Sequence, residues 1–406
     1  VDFGRELRRL REERGLSLRA LGARTHYSYG YLHDVEHGRK RATFELAARL
    51  DEALAAEGRL VACATSSSPI GELASGAPPV SDLQVIASVW EWEFLPENPD
   101  ASRSRGRRIG AADVEMLRSA RTRYENMYRQ VGGVATIGRV SSFLDQHATP
   151  LLHGTFTDKT GRGLHQAAAS LAAVAGICAF DAADHDLARR YLHDALGLAR
   201  TGGDRGLGCY VIALLANQSF LLGDYPQSLA FAGAGLRATG PQISQALRAD
   251  LSLTLAKAYA RLGAATDSHQ QMTAAERAAS NIRPENEPPE TSYIQPGLVE
   301  LQLAEALTHL NDLKPARRFA EQAARMPAHP RGRVQRLATL ARVELSEGDA
   351  DSASALAHTM VDAATGMESH QLKKRFAELR DRLSRVDSPA VEGAVQRIEQ
   401  FLAVPL

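Results

Sequence analysis

The chain has 406 residues, enough to bury more than one hydrophobic core, so a small module beside a large domain is the expected layout. Its 48 basic and 48 acidic residues cancel, so affinity for nucleic acid has to come from a local patch rather than from the field of the whole molecule. Three cysteines, Cys63, Cys178 and Cys209, without a CxxC pair, exclude a disulfide framework and a four-thiolate zinc site and suit a reducing cytoplasm.

From Phe3 to Arg14 the apolar residues Phe3, Leu7 and Leu10 recur at helical spacing, and Gly15 stands where a C-terminal cap belongs. Ser17 caps a short second helix that ends near Thr25. Ser28 caps a third, with Tyr31, Leu32 and Val35, that closes at His37-Gly38. Thr43 caps a fourth, carrying Phe44, Leu46, Ala47, Leu50 and Leu54. Several short helices in so few residues predict a compact bundle.

The stretch LRRLREERGLSLRALGARTHYSYGYLHDVEHGRKRATFELAARLDEAL resembles the Cro and lambda-repressor class of helix-turn-helix, the XRE family, over residues 3 to about 58. That resemblance implies a recognition helix at Ser28 to His37 lying in the major groove of double-stranded DNA. Carried over by position, Tyr29, Gly30 and Asp34 fall where base edges are read, with His33 beside them. Ser17, Ser28, Arg39, Lys40 and Arg41 fall where phosphates are held. Arg11 and Glu36 match a pair that forms an internal salt bridge in the family. The sequence departs from the family at Leu18, where a phosphate-binding Gln is common, and Gly30 offers no side chain to a base. The alternative reading is a docking module without DNA activity. His33 and His37 stand one helical turn apart but have no carboxylate or thiolate partners in the pattern, so no metal is expected.

Residues 64–81 (ATSSSPIGELASGAPPVS) read as a linker. Beyond it Leu83, Ile86, Trp90 and Phe94 fall at helical spacing, while Val85, Val89 and Trp92 also allow an alternating strand. The bland role is a packing helix; a dimerisation or ligand surface is the other. Arg103, Arg105, Arg107 and Arg108 form a basic cluster that reads as a solvated loop.

After Ala111 amphipathic helices recur. Turns at Ala183-Asp184-His185, Gly223-Asp224-Tyr225, Gly263-Ala264-Ala265, Asn311-Asp312-Leu313 and Gly348-Asp349-Ala350 lie 40, 40, 48 and 37 residues apart. Seven residues before each turn, and five and twelve after it, stand small residues with the one exception of Met360. Small residues there let two antiparallel helices approach closely. GDYPQSLAFAGAGL resembles the tetratricopeptide (TPR) consensus, with a longer period than that family has. The 48-residue gap holds NIRPENEPPETSY, a Pro-rich insertion expected as a loop on one face, and the helices before residue 180 and after Ser369 read as non-standard caps.

Six residues before each turn stand Ile177, Asn217, Lys257, Glu305 and Arg342, which in a tetratricopeptide-like array would point into the groove. With Tyr210 nearby, Asn217, Lys257, Glu305 and Arg342 are candidate contacts for a peptide or small-molecule ligand. An ion-pair ladder needing no ligand is the equal alternative.

No Walker loop, Rossmann fingerprint, HExxH or GxSxG elbow occurs, so the sequence predicts neither an enzyme nor a cofactor. Neither a signal peptide nor an uninterrupted apolar span is legible, so a soluble cytoplasmic protein without a membrane partner is expected. The expected fold is all-α: a small helix-turn-helix bundle over residues 1–60, a linker and connecting helix over 61–110, and an α-solenoid of TPR-like helical hairpins over 111–406. The resemblance of the whole, to actinobacterial and peptide-pheromone-responsive regulators, implies a homodimer on a two-fold operator whose array senses a ligand. The second reading is an interaction scaffold with a vestigial helix-turn-helix.

Overall fold

The structure is a computed structural model that describes residues 3–25, 27–37, 44–54, 56, 59–60, 80–93, 101–104, 107–239, 243–294 and 296–406. Arg39, Lys40, Arg41, Thr43, Cys63, Phe94, Arg105 and nearly all of the 64–81 linker lie outside the described residues. The chain divides into two compact units, Val1–Pro78 and Pro79–Leu406.

In the first unit the helices are α1 (Phe3–Glu13), α2 (Leu18–Thr25), α3 (Tyr29–Glu36) and α4 (Phe44–Ala53). Gly15 takes φ +63°, and Leu16 N–H returns to the Arg11 carbonyl, so the left-handed residue closes α1 as its sequence predicts. Phe3, Leu7 and Leu10 from α1 meet Leu21, Leu32, Val35, Leu46, Leu50 and Leu54 in one core. Burying each such side chain contributes about 1.5–3 kcal/mol, which offsets the ordering cost of short helices that would not persist alone.

The second unit opens with α5 (Asp82–Glu93), so both tryptophans belong to this unit. The segment is a helix, but its buried stripe is Val85, Val89 and Trp92, whereas Leu83 is 77% and Trp90 62% exposed. The expected stripe of Leu83, Ile86 and Trp90 is therefore not the core-facing one. Trp92 decides the choice: its ring lies on Gly208, where a Cβ would stand 2.1 Å from ring carbons. Salt bridges from Arg189 to Asp82 (3.0 Å) and from Arg200 to Glu91 (2.6 Å) fix the two ends of the helix.

α6 (Ala111–Val131), α7 (Gly133–Phe143), a π-helical turn at Leu144–Ala148 and α8 (Thr149–Leu152) follow. Arg103–Ser104 pairs antiparallel with Thr155–Phe156, a two-residue ladder beside elements that are otherwise helical among the described residues. Six helix pairs complete the unit as an α-solenoid: α9 (Asp158–Asp181) with α10 (His185–Thr201), α11 (Arg205–Leu222) with α12 (Tyr225–Thr239), α13 (Gln245–Arg261) with α14 (Ala265–Ser280), α15 (Leu298–His309) with α16 (Leu313–Arg325), α17 (Pro330–Glu347) with α18 (Ala350–Ala364), and α19 (His370–Leu383) with α20 (Pro389–Ala403).

Each of the five aligned turns begins with a residue at positive φ: Ala183, Gly223, Gly263, Asn311 and Gly348. The left-handed residue lets the chain reverse within a few residues, at a cost of about 1–2 kcal/mol where a Cβ is present, as at Ala183. The small residues seven before and five after the turns are buried where the paired helices touch. Ser228 Oγ donates to the Ala216 carbonyl (2.9 Å) and Ser268 Oγ to the Ala256 carbonyl (2.8 Å), the same bond one repeat apart. A hydroxyl at that position is thus satisfied inside the helix contact. Two helices, α9 and α11, are long and apolar enough to cross a membrane, where the sequence reading expects none. Most of each is buried as core of the array.

The row of first helices curls until the fifth pair meets the first. Arg331 at the start of α17 donates to both Asp181 carboxylate oxygens at the end of α9, at 2.5 and 3.2 Å, and both side chains are buried. Ser369 Oγ and Gly133 N–H also donate to Asp181, each at 2.7 Å, and the Arg331 guanidinium lies over the Tyr128 ring. The Pro-rich insertion is not an outlying loop. Glu290 accepts from Ser170 Oγ on α9, Tyr293 donates to Asp250 on α13 (2.7 Å), and the Tyr293 ring packs on Tyr210 of α11. The insertion thus lies on the row of first helices, because its carboxylate and phenol find partners there that solvent would otherwise supply.

Candidate nucleic-acid interface and the polar register of the array

Among the described residues helix α3 is held from behind and largely exposed in front. Leu32 and Val35 are in the core, and Glu36 is buried beneath α1. Arg11 grips Glu36 with two parallel bonds, Nη2 to Oε1 at 2.7 Å and Nε to Oε2 at 3.0 Å, and its Nη1 donates to the Leu16 carbonyl (2.9 Å). One guanidinium therefore ties the end of α1, the following turn and the end of α3 together.

On the other face Tyr29 is 50% exposed, Gly30 is exposed, and His33 and Asp34 are partly exposed. A Cβ on Gly30 would meet nothing within 4 Å, so packing within this unit does not demand glycine there. Tyr29, His33 and His37 stack along the helix at successive turns, with ring centroids 5.9 and 4.1 Å apart, and Arg19 from α2 lies 5.7 Å over the Tyr29 ring. His33 Nδ1 stands 3.9 Å from Asp34 Oδ1. Ser17 Oγ accepts from Ala20 N–H (3.1 Å) and Ser28 Oγ accepts from Tyr31 N–H (3.3 Å). Both hydroxyls sit in exposed residues, and accepting a cap bond leaves each O–H able to donate to an acceptor outside.

Residues 2–63 match the family model of a helix-turn-helix domain. The match covers the first unit's helices and none of the array. No curated protein matches the chain. Helices α2 and α3 both fall within the matched residues. Tyr29, Gly30, His33 and Asp34 share the outward side of α3, with Ser17 and Ser28 at the N-termini of α2 and α3. Arg39, Lys40 and Arg41 lie outside the described residues. Sequence reasoning missed Arg19 as a member of this face, because a guanidinium seated on a ring of another helix leaves no spacing signal, and it read the His33–His37 spacing against a metal and not as a stacked pair.

In the array the five register positions do not share one fate. Tyr210 is buried against the insertion, away from the others, and Asn217 and Ile177 are partly exposed. Lys257, Glu305 and Arg342 come together, but enclosed and not along an open groove wall. Lys257 and Glu305 are both buried, with Nζ 3.7 Å from Oε2, and Nζ lies 4.9 Å over the Phe220 ring. Arg375, from the capping helix α19, and Thr339 donate to Glu305 Oε1 at 3.3 and 3.4 Å. Burial raises the Glu305 carboxyl, but Arg375, Lys257 and Arg342 outweigh it and hold it down to about 2. Burial and the neighbouring Arg342 push His309 down to about 3, so it is neutral in this cluster. Cys178 and Cys209 are buried, and burial raises the Cys178 thiol.

Proposed function

We propose that the protein is a cytoplasmic, non-enzymatic transcription regulator that binds double-stranded operator DNA as a homodimer through α3. In this reading the tetratricopeptide-like array binds a signal molecule that changes operator affinity. The observation that carries it is the outward face of α3: Tyr29, Gly30, His33 and Asp34 are displayed on a helix whose back is fixed by the core and by Arg11 with Glu36.

In DNA the roles follow from donor and acceptor chemistry. Tyr29 donates a phenol or packs on a thymine methyl, His33 donates or accepts, and Asp34 accepts from an exposed cytosine amine. Gly30 lets the helix backbone approach a base pair closely. Ser17, Ser28 and the Arg39, Lys40, Arg41 run hold phosphates. Arg19, beside Tyr29, supplies a donor to phosphate in place of the family's Gln amide, whose position Leu18 occupies here.

Selection from randomised duplexes with the purified chain tests the reading. One palindromic site is expected, with a steep loss of affinity as salt rises, because each neutralised phosphate releases counterions. Arg39→Ala, Lys40→Ala and Arg41→Ala together should weaken binding across all sequences. Tyr29→Ala with His33→Ala should relax discrimination at one or two positions, each change costing about 1–3 kcal/mol. Enrichment of no sequence at low salt overturns DNA binding and leaves the array as an interaction scaffold.

A further inference from the structure

The charge cluster in the array is out of balance. Among the described residues Lys257 and Arg375 pair with one carboxylate, Glu305, Arg342 adds its charge to theirs there, and His309 is neutral beside them. Further along α19, Glu378 and Arg382 both act on Arg342, with opposite signs. Asp250, the other acidic neighbour of Lys257, is already bonded to Tyr293 and Gln302. Arg342 is partly buried, and its Nε and Nη2 are sealed from solvent with no hydrogen-bond partner among the described residues. A guanidinium presents five N–H donors in a rigid fork. Sealing two of its nitrogens without acceptors is unfavourable unless something supplies oxygen.

The occupant is constrained by what already lies along the first helices. Glu290 and Tyr293 of the insertion are seated on Ser170, Asp250 and Tyr210, and the curl closed by Arg331 and Asp181 joins the fifth pair to the first. An extended peptide crossing the whole row would have to displace the insertion. A compact molecule that meets only α13, α15, α17 and α19 would not.

We propose that Lys257, Arg342 and Arg375 form a binding site for a small organic anion, a carboxylate or phosphate compound, whose oxygens complete the Arg342 donors. This rests on the array being the sensing part of the regulator and names the ligand's chemistry. Phe220, under Lys257 Nζ, offers an apolar wall for the body of the molecule, and Glu305 holds Lys257 and Arg375 in place as a positioning residue. The fork favours a planar or tetrahedral oxyanion that can take two parallel bonds.

Isothermal titration calorimetry of the full chain with inorganic phosphate, and separately with citrate, against sodium chloride of equal ionic strength, tests the site. Saturable binding of one of the two is expected, and which of them binds distinguishes a phosphate from a carboxylate ligand. Arg342→Gln should weaken it about tenfold or more, as loss of a charge-assisted pair does. Its thermal midpoint in anion-free buffer should equal or exceed the parent's, because the substitution removes an unsatisfied cation. Arg375→Gln, at a partly exposed position, repeats the test should Arg342→Gln fail to fold. Absence of saturable binding by both anions, or parental binding in both variants, overturns the site. A lowered midpoint in Arg342→Gln with no anion effect on the parent would show a purely structural cluster. Duplex affinity measured with and without the bound anion is a separate arm. Unchanged affinity with saturable anion binding would leave the site standing and overturn the ligand-responsive regulator.

Discussion

Arg11 shows how one side chain carries a fold decision. Its guanidinium spans three segments, and Glu36 beneath it is buried, so removing the cation leaves the carboxylate inside the bundle with only the exposed Arg8, 3.8 Å away, as charge partner. Arg11→Ala should therefore cost about 3 kcal/mol, well above the 0–1 kcal/mol of an exposed ion pair. Amide hydrogen exchange of the first unit checks this, with protection in α1 and α3 falling together; loss confined to α1 would show that the pair does not couple the helices. The pair was legible from the family resemblance. The caps were legible from chemistry alone, since Ser17, Ser28 and Gly15 leave few other conformations for those turns. The orientation of Arg19 over Tyr29 was not, because a cation over a ring depends on the angle at which α2 meets α3.

For whole elements, sequence fixes periodicity better than it fixes facing. The five turns and their small flanking residues were readable because steric exclusion repeats at each hairpin, and Ser228 and Ser268 repeat the same bond. Helix α5 was ambiguous because it carries two apolar stripes, and which one is buried depends on a hole more than a hundred residues away. That hole is Gly208. Gly208→Leu should expel Trp92 by overpacking, at about 1–3 kcal/mol. Both tryptophans of the chain lie in α5 and Trp90 is already exposed, so the change reads directly as a red shift and quenching of the Trp92 fraction of the fluorescence. An unshifted spectrum would mean that the seat of Trp92 does not depend on the glycine. The insertion's packing was likewise invisible, since Tyr293 finds Asp250 only once the array has curled.

Across the array, buried titratable groups make stability a function of pH. Burial, reinforced by nearby arginines, depresses His309 to about 3 and His329 to about 4. His329 also caps α17, where its Nδ1 accepts from Gly332 N–H, a role that a protonated ring cannot fill. In the unfolded chain both rings take up protons near their ordinary value of about 6.5. Below that pH the unfolded state binds protons that the native state refuses, so stability is full above about pH 6.5 and declines as pH falls. With both rings titrating, the slope approaches about 2.7 kcal/mol per pH unit. Glu305 adds a second stage. Held down to about 2 by Arg375, Lys257 and Arg342, it stabilises the fold above its ordinary carboxylate range and loses that contribution between about pH 4.5 and 2. Urea unfolding followed by tryptophan fluorescence reports on this unit alone, because both tryptophans belong to it. Midpoints at pH 7.5 and 6.5 should nearly coincide, and those at 5.5 and 4.5 should fall progressively. His309→Gln should flatten that fall without abolishing it, since His329 and the smaller contributions of His165 and His185, also lowered by burial, would still lie on the limb. A midpoint independent of pH between 6.5 and 4.5 would mean that these rings titrate alike in the folded and unfolded chain, and that the interior around Arg342 is open to water.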